Sequence, residues 1–236
     1  MDVGNSIVAN TGRWSFGGDV AESFVSHISS SVPFYQQGHQ LICELSDFFI
    51  RDDSILYDIG ISTGELLTKL AMRHQALDGL QMIGLENQPE MVEYAKKNLS
   101  NDARAEIFFE DAVFHDYQPA DLIIAYYTVQ FIHPKFRQEL IDKIYRSLNW
   151  GGAFICFEKT RGADARFQDI QSILYTNFKR NNDFTDSEIL NKANSLKGVL
   201  EPFSSAGNLG LLKRAGFTDI QPVFRWLCFE GMLCIK

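Results

Sequence analysis

The chain has 236 residues, with 22 basic and 30 acidic side chains, a formal net charge of −8 and 45% hydrophobic residues. That length and apolar content suffice for one full α/β core, and the acidic balance, with no Lys/Arg run to offset it, counts against direct binding to nucleic-acid phosphate. The four cysteines (Cys43, Cys156, Cys228 and Cys234) form no CxxC pair and lie in apolar stretches, so they read as buried thiols of a cytoplasmic protein and not as a metal or redox centre.

The first residues lack the basic-then-apolar order of a leader, and no run reaches the roughly 18 apolar residues of a membrane span. Residues 1–16 read as a loosely structured arm ending in Trp14 and Phe16. Asp19 to Ser31 is helix-like, with Val20, Phe24 and Ile28 on one face, and Val32-Pro-Phe-Tyr35 breaks it. Gln37 to Phe49 is a second amphipathic helix, which completes a helical arm over residues 1–50.

The next segment, Ile55-Leu-Tyr-Asp-Ile-Gly-Ile-Ser-Thr-Gly64, is an apolar run that breaks into a turn and opens the amphipathic stretch Glu65-Leu-Leu-Thr-Lys-Leu-Ala. Strand, tight turn and helix in that order make a nucleotide-type site. Gly60 and Gly64 let the backbone pass close to a ligand, and the helix start offers unpaired N–H groups. Asp58 sits just ahead of the turn, where a carboxylate repels phosphate and attracts an ammonium group. A nucleoside with a cationic amino-acid tail fits that arrangement, namely S-adenosylmethionine (SAM).

Three further strand ends support this. Gln81-Met-Ile-Gly-Leu-Glu86 ends in an acid placed to accept both ribose hydroxyls. Asn87 follows it, and Pro89-Glu-Met91 opens the next helix. Ala105-Glu-Ile-Phe-Phe leads to Glu110-Asp111-Ala112, where a carboxylate can accept the adenine amino group, and Asp121-Leu-Ile-Ile-Ala125 runs into Tyr126-Tyr127. Polar or aromatic groups at successive strand ends belong to the ligand crevice of an open α/β sheet. Ser62, in the first turn, completes the expected SAM-binding set of Tyr35, Asp58, Gly60, Ser62, Gly64, Glu86, Asn87, Met91, Asp111, Ala112, Tyr126 and Tyr127.

Lys135 to Leu148 reads as a helix stopped by Asn149-Trp-Gly-Gly152, and Ala153-Phe-Ile-Cys-Phe157 as the fifth strand. Residues 160–200 are helical and polar with no strand candidate, too long for a plain loop; they form an insertion that is either a lid over the strand ends or a dimer contact. A helix from Ala206 to Ala215 precedes two consecutive strands that close the chain as an antiparallel hairpin. The expected fold is therefore an α/β, Rossmann-like class I methyltransferase domain spanning 1–236, with a seven-stranded sheet, an antiparallel C-terminal hairpin and the helical insertion. The hairpin and Asp58 disfavour a nicotinamide-nucleotide oxidoreductase.

The chain resembles the carboxy-S-adenosylmethionine synthase family over nearly its full length. The resemblance is carried by Trp14-Ser-Phe, Val20-Ala-Glu-Ser-Phe24, Ser31-Val-Pro-Phe-Tyr35, Tyr57-Asp-Ile-Gly-Ile-Ser, Thr128-Val-Gln-Phe131, Asp142-Lys-Ile-Tyr145, Leu148-Asn-Trp-Gly-Gly-Ala153, Glu158-Lys159, Phe178-Lys-Arg-Asn181 and Ala215-Gly-Phe217. It implies a homodimer that binds SAM or a carboxylated derivative, with contacts at Tyr35, Gly60, Glu86, Asn87, Asp111, Ala112 and Tyr126. Two departures stand out. The family holds the extra carboxylate with an arginine after a lysine in the insertion, whereas here Lys192 precedes Ala193; and Tyr126 replaces the family's asparagine. Alanine offers an anion nothing, while aromatic faces suit a sulfonium cation at roughly 0.5–2 kcal/mol per contact.

The expected activity is SAM-dependent methyl transfer to a small molecule, an in-line displacement in which a general base is optional. His133 can serve as a base or cap the next helix; Glu158 can reach substrate from the fifth strand end; Tyr35 can orient a ligand or pack. Three alternatives stay open. One is carboxy-SAM synthesis from SAM and prephenate, which calls for a basic residue in place of the missing arginine (Lys192, Arg161 or Arg180). The others are intramolecular attack within SAM that releases methylthioadenosine, and SAM binding without catalysis. The histidines have no metal-ligand spacing, and no metal is expected.

Overall fold

A computed structural model describes residues 1–4, 7–16 and 20–236. The N-terminal helices are α1 (Val20–Ser31) and α2 (Tyr35–Ser46). There follow β1 (Ile55–Ile59), α3 (Glu65–Arg73), β2 (Gln81–Glu86), α4 (Pro89–Asn98), β3 (Ala105–Phe109) and β4 (Ala120–Tyr126). A single 3-10 turn, Val129–Phe131, leads to α5 (Pro134–Ser147) and β5 (Leu148–Lys159). The insertion is α6 (Ala165–Asn181) and α7 (Asp186–Ser195); α8 (Ser205–Ala215), β6 (Asp219–Trp226) and β7 (Phe229–Ile235) finish the chain.

The sheet has seven strands in the order β3-β2-β1-β4-β5-β7-β6. The first five are parallel, and β7 runs antiparallel to both β5 and β6. Strand order reverses between β1 and β4, which opens a crevice at their carboxyl ends. Both sheet faces are covered, and this explains the unbroken apolar run of β4. Leu122 and Ile124 pack into the layer of α2, α3 and α4, while Ile123 and Ala125 face the layer of α5 and α8.

Several expectations need correction. Asp19 lies outside the described residues, so the start of the first helix is given only from Val20, whose side chain is also undescribed. The arm is packed, not loose. Val3, Ile7, Ala9 and Trp14 are buried against Phe24 and Met91, because the backbone N–H groups of Gly12 and Trp14 bond the last carbonyls of α7, at Asn194 and Ser195. Helix α2 begins two residues early, at Tyr35, after a left-handed turn at Phe34. Asn149-Trp-Gly-Gly152 does not stop a helix; it is the start of β5, where the ladder with β4 shifts register between Ala120 and Leu122.

Gly64 also has a different reason from the one expected. It takes φ +81° at the start of α3, and a Cβ there would sit 3.2 Å from the Ala95 Cα on α4. It lets the two helices approach and does not line the ligand crevice. Gly64→Ala is therefore expected to cost about 1–3 kcal/mol of stability, read as a lower urea midpoint at unchanged slope. An unchanged midpoint would contradict this packing role.

Candidate functional site

A cavity of about 950 Å³ opens over the carboxyl ends of β1, β2, β3 and β4, roofed by the arm, α1, α6 and α7. Of the residues expected from sequence, Tyr35, Asp58, Gly60, Ser62, Glu86, Asn87, Met91, Asp111, Ala112, Tyr126, Tyr127 and His133 line it. Gly64 and Glu158 do not. Glu158 is 4% exposed and turned to the other side of β5, where its carboxylate accepts the Val129 N–H at 2.9 Å. Burial pushes it up to about 8, opposed by the nearby Arg137 guanidinium. Arg137 itself donates to the carbonyls of Ile132 and Gln130. Glu158 thus fixes the turn after β4 and touches no ligand space. His133 reaches the cavity rim but accepts the Lys135 N–H at 3.3 Å as the N-cap of α5.

Two carboxylates dominate the crevice. Asp58 is the penultimate residue of β1 and is 2% exposed; burial, reinforced by the nearby Glu86, pushes its carboxyl up to about 7. Glu86 closes β2 and accepts backbone N–H groups from Ser62, Asn87 and Gln88 at 2.9–3.0 Å. Burial raises its pKa in spite of those bonds. Its Oε2 takes a single N–H, which leaves acceptor capacity for a ligand hydroxyl. Asp111 uses Oδ1 to hold the Val113 N–H at 2.9 Å, so the loop after β3 presents the carboxylate to the cavity. Ser62 stands in the left-handed region and donates to the Met91 sulfur at 3.7 Å.

Tyr126 is the floor of an aromatic box. Its ring lies 5.1 Å from Tyr35, 4.8 Å from His39, 4.7 Å from Tyr127 and 5.1 Å from Phe157. Its hydroxyl donates to the Tyr35 carbonyl at 2.7 Å. Gly38 in α2 makes this possible, since a Cβ there would collide with the Tyr126 hydroxyl. Burial raises the Tyr35 and Tyr126 phenols, so both are neutral donors. His39 is driven down to about 4 by burial and by Lys69, whose Nζ donates to His39 Nδ1 at 3.1 Å. The sequence reading missed His39; its spacing of four from Tyr35 on an amphipathic helix was the available signal.

The insertion supplies what the sequence did not reveal. Helix α6 is amphipathic in reverse. Gln168, Ser172, Tyr175, Thr176 and Lys179 face the cavity, while Phe167, Ile170, Ile173 and Leu174 are 47–62% exposed. Lys159 from β5, Lys179 from α6 and Lys192 from α7 all line the cavity. Arg161 and Ala193 line it too, whereas Arg180 pairs with Asp186 at the surface and does not.

The strand-end carboxylates carry a stability signature. Unfolded, an Asp titrates near pH 4; folded, Asp58 titrates at about 7. The native state holds a proton that the unfolded state has released, so stability falls as pH rises from about 4 to 7 and is level above that. Asp58→Asn is expected to raise stability at pH 8 by about 1–4 kcal/mol more than at pH 4, measured by urea unfolding at both pH values. An equal gain at the two would contradict the assignment.

Residues 56–152 match the family model described as a methyltransferase domain. The chain is 34% identical over 228 residues to the carboxy-S-adenosyl-L-methionine synthase of Staphylococcus epidermidis, covering 96% of this chain and 99% of that one. It is 35% identical over 225 residues to the enzyme of the same name from Campylobacter lari, covering 95% of each. Among solved structures, an O-methyltransferase family protein from Burkholderia thailandensis superposes with a TM-score of 0.64 at 16% identity, over 92% of this chain and 59% of that one. Haemonchus contortus phosphoethanolamine N-methyltransferase 2, solved with S-adenosylhomocysteine, gives a TM-score of 0.65 at 14% identity, over 94% and 59%. With the open sheet, the reversed hairpin and the acids at the strand ends, these likenesses place the chain in the carboxy-S-adenosyl-L-methionine synthase family of SAM-dependent, class I methyltransferase-fold enzymes.

Proposed function

We propose that the protein binds SAM across the strand ends and converts it, with a small anionic co-substrate such as prephenate, into carboxy-SAM. The observation that carries this reading is the mixed polarity of the cavity over the strand ends: carboxylates from β1 and β2 and lysines from β5, α6 and α7. In this reading Asp58 faces the methionine ammonium, Glu86 the ribose hydroxyls and Asp111 the adenine amino group. Gly60, Ser62, Asn87, Met91 and Ala112 frame the nucleoside, and Tyr35, Tyr126 and Tyr127 face the sulfonium. The sulfonium supplies a carbon activated by positive sulfur. The protein's part is to align the two reactants and to exclude water with the arm and insertion, so that residues 1–236 work as one unit. The curated relatives' shared name supports the product assigned here.

Methyl transfer to a small acceptor is the second reading, favoured by Ala193 and Tyr126 at positions where the family resemblance expects arginine and asparagine. The two readings part in one assay. The protein is incubated with SAM and prephenate and the nucleosides are identified by mass spectrometry. Carboxy-SAM is the expected product; S-adenosylhomocysteine formed only with an added acceptor would establish the second reading instead, and methylthioadenosine alone would sink both. Asp58→Ala and Glu86→Ala are each expected to weaken SAM binding by about 1–3 kcal/mol, the range for a lost bond to a charged group. Calorimetric affinities unchanged in both would contradict the site.

We also propose a cytoplasmic homodimer that pairs through the outward apolar face of α6, which is too apolar to be left in water. Light scattering after size exclusion is expected to give a dimer mass for the native chain and a monomer for Ile173→Glu/Leu174→Glu. A monomeric native chain would contradict it. Among the described residues no helix is long and apolar enough to cross a membrane.

A further inference from the structure

A second, much smaller cavity lies within the layer of α5 and α8, against β5 and β7. It holds about 20 Å³, the space of a single water. Val129, Ile141, Leu211, Leu212 and Met232 make its walls apolar, yet two carboxylates face into it. Glu158 on β5 and Glu230 on β7 stand directly opposite each other in the antiparallel ladder, and they are 4% and 5% exposed. Side chains paired in this way share one face of the sheet, with Cβ atoms about 4.5–5.5 Å apart. Glu158 accepts the Val129 N–H. Glu230 Oε2 accepts the Ser205 hydroxyl at 2.7 Å, but its Oε1 is buried with no hydrogen-bond partner. A bare carboxylate oxygen out of water is unfavourable, and a second anion beside it makes it more so.

The groups packed around the two acids do not neutralise them. Arg137 on α5 acts on Glu158 through space, as Glu201 acts on Arg137. Its N–H groups go to the carbonyls of Ile132 and Gln130, and its guanidinium lies 4.4 Å from the centroid of the Phe203 ring. Arg225, opposite Glu230 on β6, is exposed. Helix α8 brings the neutral side chains of Ser205 and Asn208. Burial, with Glu158 acting in the same sense, keeps the Tyr127 phenol and the Cys156 thiol protonated. Among the described residues neither glutamate is in a salt bridge, and no cluster of three or more His, Cys, Asp or Glu side chains is placed to hold a metal ion. We propose that Glu158 and Glu230 hold one proton between them, carried by Glu158 and given in a hydrogen bond to Glu230 Oε1, and that this buried acid pair is an alkaline-sensitive pin for the turn that walls the large cavity.

Val129, held by Glu158, opens the 3-10 turn Val129–Phe131. Gln130 in that turn lines the large cavity, donates to the Tyr127 carbonyl at 3.3 Å and accepts the Lys159 N–H at 2.8 Å. Phe131 lines the cavity too and meets Phe16 of the arm at 5.0 Å. Burial pushes Glu158 up to about 8, against Arg137 and the Val129 and Gln130 N–H groups and with the help of Glu230. Above that pH two anions face each other in an apolar space. Relief comes from drawing water in or from moving α8 or the turn away, and either loosens the cavity wall. An unfolded Glu titrates near pH 4. The native pair therefore keeps a proton that the unfolded chain has released, so its contribution to stability falls as pH rises from about 4 to about 8 and is level above.

Glu158→Gln is the isostere of the protonated acid: its carbonyl keeps the Val129 N–H and its amide donates to Glu230. Urea unfolding of the native chain and this variant, in choline chloride at pH 6, 7 and 9.5, tests the shared proton. Relative to the variant, the native unfolding constant is expected to rise about tenfold from pH 6 to 7 and to level off above pH 9. The side-chain carboxyl carbon resonances of Glu158 and Glu230, assigned by their loss in Glu158→Gln and Glu230→Gln, are expected to shift together over one pH range. Glu230→Gln is expected to move the Glu158 midpoint down by about one pH unit, the coupling of neighbouring acids. The link to the large cavity rests on the SAM reading: native SAM affinity, taken relative to Glu158→Gln so that Asp58 cancels, is expected to fall threefold or more from pH 7 to 9.5. The proposal is overturned if the native chain and Glu158→Gln keep a constant ratio of unfolding constants, if Glu158 titrates near pH 4, or if Glu230→Gln leaves its midpoint unchanged. It is equally overturned if sodium or potassium in place of choline raises the native urea midpoint, since a metal ion would then sit between the acids, or if the relative SAM affinity does not change with pH. Failure of SAM to bind the native chain at all, with the joint titration intact, would sink the SAM reading and leave the shared proton standing.

Discussion

Two carboxylates buried side by side at the ends of β1 and β2 are the constraint on which the rest of the structure turns. Taking an anion out of water is unfavourable unless it is hydrogen-bonded or paired. Glu86 meets that demand in part with three backbone N–H groups. Asp58 has Glu86 as its electrostatic neighbour, which makes its burial worse. Such an arrangement persists only where a ligand resolves it, and a cationic amino acid joined to a ribose resolves both at once. The parallel register of β1 with β2, Asp58 beside Gly84 and Ile59 beside Leu85, sets the two acids at one sheet end.

The same cavity repeats the problem with the opposite sign. Lysines from β5, α6 and α7 are held in a poorly solvated space against aromatic rings. The cavity therefore carries both signs of charge, with carboxylates from β1 and β2 and lysines from β5, α6 and α7. A site that stores two sets of frustrated charge gives up stability in the empty state for complementarity in the filled one. The reversed amphipathicity of α6 belongs to the same design. Its polar face serves the ligand space, which leaves its apolar residues outside. The arm is held to the C-terminal end of α7 by backbone bonds, so arm and insertion form one cover over the site.

Much of this was legible in the sequence. The boundaries of β2 and β3 were read to the residue, because each is a short apolar run bounded by turn signals and an acid. The strand-end residues converge because an open parallel sheet brings carboxyl ends together wherever the order reverses. What failed did so for physical reasons. Gly64 carries the mark of a ligand glycine and of a packing glycine alike, and only the position of Ala95 on α4 separates them. Glu158 ends a strand as Asp58 does, but β5 turns it to the opposite face, where the Val129 N–H and Arg137 hold it. The arm looked loose because its apolar residues follow no period; a local bridge between Asp2 and Val8 and tertiary contacts order them. The lysine cluster was invisible since Lys159, Lys179 and Lys192 are separated by helices whose fold-back no local pattern encodes.

The central claim is that one cavity holds SAM against its carboxylates and an anion against its lysines. Mass spectrometry of the small molecules that stay with the protein when it is purified without added ligand tests this most directly. The account predicts carboxy-SAM, the one molecule that brings a sulfonium nucleoside and an extra carboxylate together. A nicotinamide nucleotide, or S-adenosylhomocysteine with no trace of a carboxylated species, would contradict it.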